Sequence, residues 1–138
     1  MVSKTTFVAL ISFLLFAHNS MAQEPTSQND YWIGQELWYK YTGGMEFHVK
    51  FEKEGMSYQA LSKSKPDVWW GPFPFNSLLT DKGEYLLAWY EEGYGDYVTL
   101  LIDPKNKTLY GSAIIALKDG PKTHLQPAKI YKMIGEKE

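Results

Sequence analysis

Between positions 37 and 51 apolar and polar side chains alternate almost without interruption. Leu37, Tyr39 and Tyr41 share one parity; after Thr42-Gly43-Gly44, Met45, Phe47, Val49 and Phe51 interleave with Glu46, His48 and Lys50. A period of two sends successive side chains to opposite faces of a strand. The stretch therefore predicts two antiparallel strands around a glycine turn, each apolar on one face. The turn length follows from the same pattern. A two-residue loop at Gly43-Gly44 would pair Thr42 with Met45 and set charged Lys40 on the face of Phe47. A three-residue loop, Thr42-Gly43-Gly44, pairs Tyr41 with Met45, Tyr39 with Phe47 and Leu37 with Val49, so the apolar side chains share one face. The three-residue loop is the expected one, and it points Tyr39 and Tyr41 into the interior.

Short strand-like runs continue to the end of the chain. Met56, Tyr58 and Ala60 alternate in a third run over 56–61, broken by Lys63-Ser64-Lys65-Pro66. Pro72 and Pro74, after Trp69-Trp70-Gly71, restrict the next passage to an edge, bend or loop, because proline cannot donate to a ladder. A run over 75–79 follows, then a hairpin of 84–91 and 96–103 around Glu92-Gly93-Tyr94-Gly95. Asp103-Pro104-Lys105-Asn106 signals a turn into 108–117, rich in β-branched and aromatic residues. His124 falls in a proline-flanked loop, and 130–134 reads as a closing strand. No helical periodicity extends beyond a turn or two. Seven to nine short strands imply a sandwich or a barrel, and the succession of tight turns favours a small up-and-down antiparallel β-barrel. The expected organisation is one all-β domain over 31–134, after a polar linker over 23–30 and before a polar tail over 135–138.

Composition narrows the classes. Lys4, an apolar run over 7–17 and Ser20-Met21-Ala22 form a basic, hydrophobic and small-residue succession over 1–22 that reads as a cleaved secretory signal peptide. The run is shorter than the ~20 residues that span a bilayer. Export to the periplasm or outside the cell is expected, with no membrane attachment after cleavage. The remaining chain has 13 basic residues against 16 acidic ones, a balance that draws neither nucleic acid nor an anionic membrane. It contains no cysteine, so burial rather than disulfides must hold it together. It contains no arginine, so carboxylate or phosphate cannot be clamped by a planar fork. Aromatic residues make up 16%, many of them Tyr and Trp whose polar tips need partners when buried; this favours a lined cavity over a filled core. With the lysines assigned to turns and polar faces, that lining is expected to be neutral to acidic.

Several short motifs, in this order, carry a resemblance. Leu37-x-Tyr39-x-Tyr41-Thr42-x-Gly44 opens a hairpin; Trp70 follows the third strand; Trp89-Tyr90-Glu91 precedes Gly95-Asp96-Tyr97; Leu109-Tyr110-Gly111 comes last. Over about 34–116 the chain resembles the lipocalin-like calycin barrels related to phenolic acid decarboxylase and, more closely, the small MoaF-like domains associated by name with molybdenum cofactor biosynthesis. The resemblance implies an eight- or nine-stranded barrel with its ligand or active site inside. It places Tyr39 and Tyr41 at the decarboxylases' tyrosine pair and Glu91 at their glutamate. Their arginine has no counterpart, its place falling near Val68 or Trp69.

The candidate ligand-binding residues are Tyr39, Tyr41, Trp69, Trp70, Trp89 and Glu91. Each has a plainer reading. Tyr39 and Tyr41 read equally as core tyrosines bonded to backbone. Glu91 shares parity with Tyr85, Leu87 and Trp89, which faces it inward, yet its place beside Glu92-Gly93 reads as a solvated turn glutamate. Trp69-Trp70-Gly71-Pro72-Phe73-Pro74-Phe75 is either a stiff aromatic lid or a face that stacks on a flat ligand. His48 alternates with charged residues and reads as a surface side chain. Two histidines without matching carboxylates are no metal site, and no cofactor motif is present. Ser112 lacks the glycine context of a nucleophile elbow. Asn106-Lys107-Thr108 matches a glycosylation sequon. The leading functional reading is a non-catalytic barrel binding a small, flat, mainly apolar ligand. The alternative is a cofactor-free lyase or isomerase with Tyr39, Tyr41 and Glu91 as its reacting groups. A homodimer is compatible with either.

Overall fold

A computed structural model describes residues 27–135; the expected signal peptide lies outside them. The described residues form one four-residue helix, α1 (Asn29–Trp32), and nine strands. These are β1 (Glu36–Tyr41), β2 (Glu46–Glu52), β3 (Gly55–Ala60), β4 (Trp70–Phe73), β5 (Phe75–Leu79), β6 (Tyr85–Glu91), β7 (Asp96–Asp103), β8 (Thr108–Ile115) and β9 (Lys122–Ile134). They pair antiparallel in the order β4-β3-β2-β1-β9-β8-β7-β6-β5. The first and last strands of that order are neighbours in sequence, joined through Pro74, so the sheet curls into a nearly closed barrel.

The first hairpin has the expected register. Leu37 faces Val49 and Tyr39 faces Phe47, and the Tyr41 N–H donates to the Met45 carbonyl at 2.8 Å across the three-residue turn. The proline-rich passage is the edge strand β4. It lies close on β3: a Cβ on Gly71, whose φ is +115°, would come within 2.7 Å of the Met56 carbonyl oxygen. Glycine alone meets both the dihedral and the approach.

β9 is the departure from expectation. It begins at Lys122 rather than near 130 and takes in the stretch read as a loop around His124. It bridges β1 and β8, so both its edges are occupied and the sheet overrides the local proline signal. Pro127 contributes no donor, but its carbonyl accepts the Thr42 N–H at 3.1 Å. A register shift between Trp38 and Tyr39 leaves Tyr131 as an extra β9 residue, so Ile130, facing Tyr39, still points inward.

One end of the barrel is filled. Leu37, Phe51, Leu87, Leu100, Ile102 and Leu109 are all buried there, and α1 closes it with Trp32, which is fully buried with its ring 5.0 Å from Phe51. Tyr31 stacks on Tyr85 at 4.3 Å. Asn29 fastens α1 to β5, donating to the Phe75 carbonyl at 2.9 Å and accepting from the Ser77 hydroxyl at 3.1 Å. The last residues of the stretch read as a linker are thereby part of the plug.

Candidate functional site

The opposite half of the barrel is hollow, and side-chain size explains why. Where the closed end has leucine and isoleucine pointing inward, the open end has Ala60, Gly111 and Ala113. The space they leave is a cavity of about 490 Å³, within the range of small-molecule sites. Its walls are largely aromatic: Tyr39, Tyr41, Phe47, Tyr58, Trp70 and Trp89 all contribute. Tyr41 can reach across only because position 111 is glycine. A Cβ there would lie 2.0 Å from the Tyr41 hydroxyl oxygen and 2.7 Å from Cζ, so the tip of that ring rests on the backbone of β8.

β1 holds the two tyrosines two residues apart on its inner face, with their rings edge to face at 5.4 Å. Burial raises the pKa of both and keeps both phenols neutral. For Tyr39 the nearby Tyr41 adds to the rise.

Glu91 lies across the cavity at the end of β6. It is only 4% exposed, which corrects the solvated-turn reading: β6 continues through Glu91, paired with Asp96, before the turn begins. Both carboxyl oxygens have donors. Trp89 Nε1 reaches Oε1 at 3.1 Å, and the Tyr58 hydroxyl reaches Oε2 at 3.0 Å. Burial raises the pKa of Glu91; the Trp89 and Tyr58 donors oppose that rise, and the charge of Asp96 adds to it. Tyr58 is pushed well up by burial and then by the neighbouring carboxylate.

Of the residues singled out in the sequence, Tyr39, Tyr41, Trp70, Trp89 and Glu91 converge on this cavity. Trp69 does not. It lies on the outside, 38% exposed, edge-on to His48 at 4.8 Å and beneath the Lys50 ammonium at 4.6 Å. His48 is an outer-face residue as expected, though well covered: it stacks on Trp38 at 3.7 Å and is 2.6 Å from Glu36. His124 is not in a loop but on β9, at the cavity mouth. Lys63 and Lys65, on the segment between β3 and β4, also reach that mouth. The lining is thus carboxylate-bearing at depth, in keeping with the expected neutral-to-acidic interior, and the two lysines of the turn segment make its rim cationic. Among the described residues no three His, Cys, Asp or Glu side chains are placed to share a metal.

Sequence reasoning missed Tyr58, Asp96 and Gly111 as site residues. Tyr58 had the correct inward parity, but its partner lies 33 positions away on a strand across the barrel. Gly111 carried a readable signal, since a glycine inside a β-branched run marks a close approach.

The fold and cavity define a small antiparallel β-barrel with an aromatic-lined interior open at one end. No protein-family model matches the chain, and no curated protein matches it. Among solved structures it is similar to "a putative beta-lactamase from Burkholderia vietnamiensis", with a TM-score of 0.61 and 14% identity, over 75% of this chain and 95% of that one. At that identity the likeness is one of fold.

Proposed function

We propose that this protein is an exported, lipocalin-like carrier or sensor that takes a small, flat, mainly apolar ligand into the open half of the barrel. The observation that carries the reading is a hollow of about 490 Å³ walled by aromatic rings around a single buried carboxylate. Trp70 and Trp89 supply stacking surface, and the Tyr39–Tyr41 pair supplies a hydroxyl at depth. Beside Glu91 a neutral or cationic group is favoured, and aromatic faces add cation–π attraction. A buried anion there would meet a carboxylate and no cation. Lys63 and Lys65 stand at the rim, so an acidic head group would be directed outward. Titration followed by tryptophan fluorescence tests this: neutral hydroxycinnamoyl amides and arylalkylamines are expected to quench at micromolar concentration. Quenching confined to the corresponding free acids would overturn it.

A second reading draws on one observation, the burial of Glu91 inside the cavity. The resemblance to phenolic acid decarboxylases and MoaF-like barrels supports a cofactor-free lyase or isomerase with Glu91 as acid or base and Tyr39 and Tyr41 orienting the substrate. The raised pKa of Glu91 moves it toward the range in which a carboxyl exchanges protons near neutral pH. The region of the absent family arginine, Val68 and Trp69, lies outside this cavity, so such an enzyme would have to orient its substrate without that cation. Glu91→Gln separates the two readings. A carrier keeps binding and has no turnover to lose, whereas an enzyme keeps binding and loses turnover.

A further inference from the structure

The outside of the barrel is divided. On β1 and β2 the outward positions are mostly charged, including Glu36, Lys40, Glu46, Lys50 and Glu52, and they form water-facing pairs such as Lys50 with Glu52 at 3.1 Å. Across β6 to β9 the outward positions form three registered rows. At the open end the row is Tyr90, Tyr97, Ile114 and Thr123. The middle row is Ala88, Thr99, Ser112 and Leu125. The third is Leu86, Leu101, Tyr110 and Pro127. None of these is charged, and β5 extends the two lower rows with Asn76 and Leu78. The side chains stand in the open: Leu125 is 77% exposed, Tyr90 54% and Tyr110 52%. Charges resume only beyond the rows, at Asp103 and Lys129 toward the closed end and at Glu92 and Lys118 toward the mouth.

We propose that this face of β5 to β9 docks against the same face of a second copy of the chain, forming a face-to-face homodimer. Size is the first argument. A half-exposed tyrosine presents on the order of 100 Å², judged from the area an aromatic side chain buries. With Tyr90, Tyr97, Tyr110, Ile114 and Leu125 together, the patch comes to roughly 500 Å², in the upper part of the range of the largest patch on a typical monomer, and patches of that size are often functional. It approaches the ~800 Å² each partner contributes to a standard interface. An uncharged, tyrosine-bearing patch within a charged rim is the usual anatomy of such a contact. Self-association fits because the face carries no charge to repel its own image, and a two-fold contact uses one patch twice. Lipid fits less well: the middle of the face is hydroxylic, with Thr99 registered on Ser112, and hydroxyls lack partners in hydrocarbon. Twisted sheets pack face to face readily.

Sedimentation velocity of the purified protein over a concentration series tests the proposal. A dimer is expected at micromolar concentration. Tyr97→Lys with Leu125→Glu should weaken it at least 100-fold, while Lys50→Glu on the charged half should leave it unchanged; circular dichroism confirms each variant's fold. Because the chain has no cysteine, an added thiol is a unique probe and does not depend on those variants folding. Ser112→Cys should become protected from alkylation as concentration rises, and Gln59→Cys should not. A monomer at all concentrations, a dimer indifferent to the Tyr97 and Leu125 changes, or a monomer that floats with neutral phosphatidylcholine vesicles would each overturn it.

Discussion

Gly111→Ala tests the architecture of the cavity with one added methyl group. That methyl would occupy the place of the Tyr41 hydroxyl, 2.0 Å away, and press on Cζ and Cε1 at 2.7 and 2.8 Å. Such distances force the ring to leave. Its departure breaks the edge contacts with Tyr39 at 5.4 Å and Phe47 at 5.9 Å. Each edge contact contributes roughly 0.5–1.5 kcal/mol. Against this, replacing a strand glycine by alanine gains about 0.4–1 kcal/mol through the unfolded chain. The net expectation is a destabilisation of roughly 1 kcal/mol, measured by urea unfolding at constant m-value. A double-mutant cycle isolates the cause. With Tyr41→Ala already in place the methyl has nothing to displace, and Gly111→Ala becomes neutral or stabilising. An equal loss in both backgrounds would show that the alanine acts on the β8 backbone itself, and the account of Tyr41 would fail. Ligand affinity should fall with Gly111→Ala, because the displaced ring closes part of the hollow it now lines.

Two further outcomes follow from the site and the plug. The folded pKa of Glu91 lies above its ordinary value of 4.5, so its contribution to stability is fully present below that value and is lost as pH rises through the folded one. Relative to Glu91→Gln, the parent should therefore lose stability as pH rises from 4.5 through the raised folded value, read as a shrinking difference in urea midpoint; a difference independent of pH would contradict the burial argument. Trp32→Ala removes a fully buried indole from the closed end and should destabilise by roughly 3–5 kcal/mol, while Trp32→Phe, which keeps the packing against Phe51, should recover most of that in thermal unfolding.

The first hairpin was legible because alternation and turn length constrain each other: only one loop places Tyr39 opposite Phe47 and keeps Lys40 outside. β9 was illegible because Pro127 speaks locally against a strand, while the two neighbours that stabilise it, β1 and β8, are remote in sequence. Glu91 shows the same conflict on a smaller scale. Strand parity pointed it inward, the adjacent Gly93 suggested solvent, and pairing with Asp96 decided for parity. Trp69 and Trp70 could have been separated beforehand, since adjacent residues entering a strand face opposite ways and only one of them can line the interior. The contact between Tyr58 and Glu91 had no local signal, as it exists only once the sheet has curled.

β9 also sets the order in which the molecule can be completed. β1 to β4 form one meander and β5 to β8 another, and β9 is the strand that pairs with both. Before β9 pairs, the fold therefore consists of two half-sheets with open inner edges. Until then the inner edges of β1 and β8 lack their final partner, the state in which strands pair with the wrong chain. Closure depends on contacts between positions as distant as Tyr41 and Ala128, a non-local topology that folds slowly. The thirteen residues of β9 act as a zipper that joins the two half-sheets into one barrel.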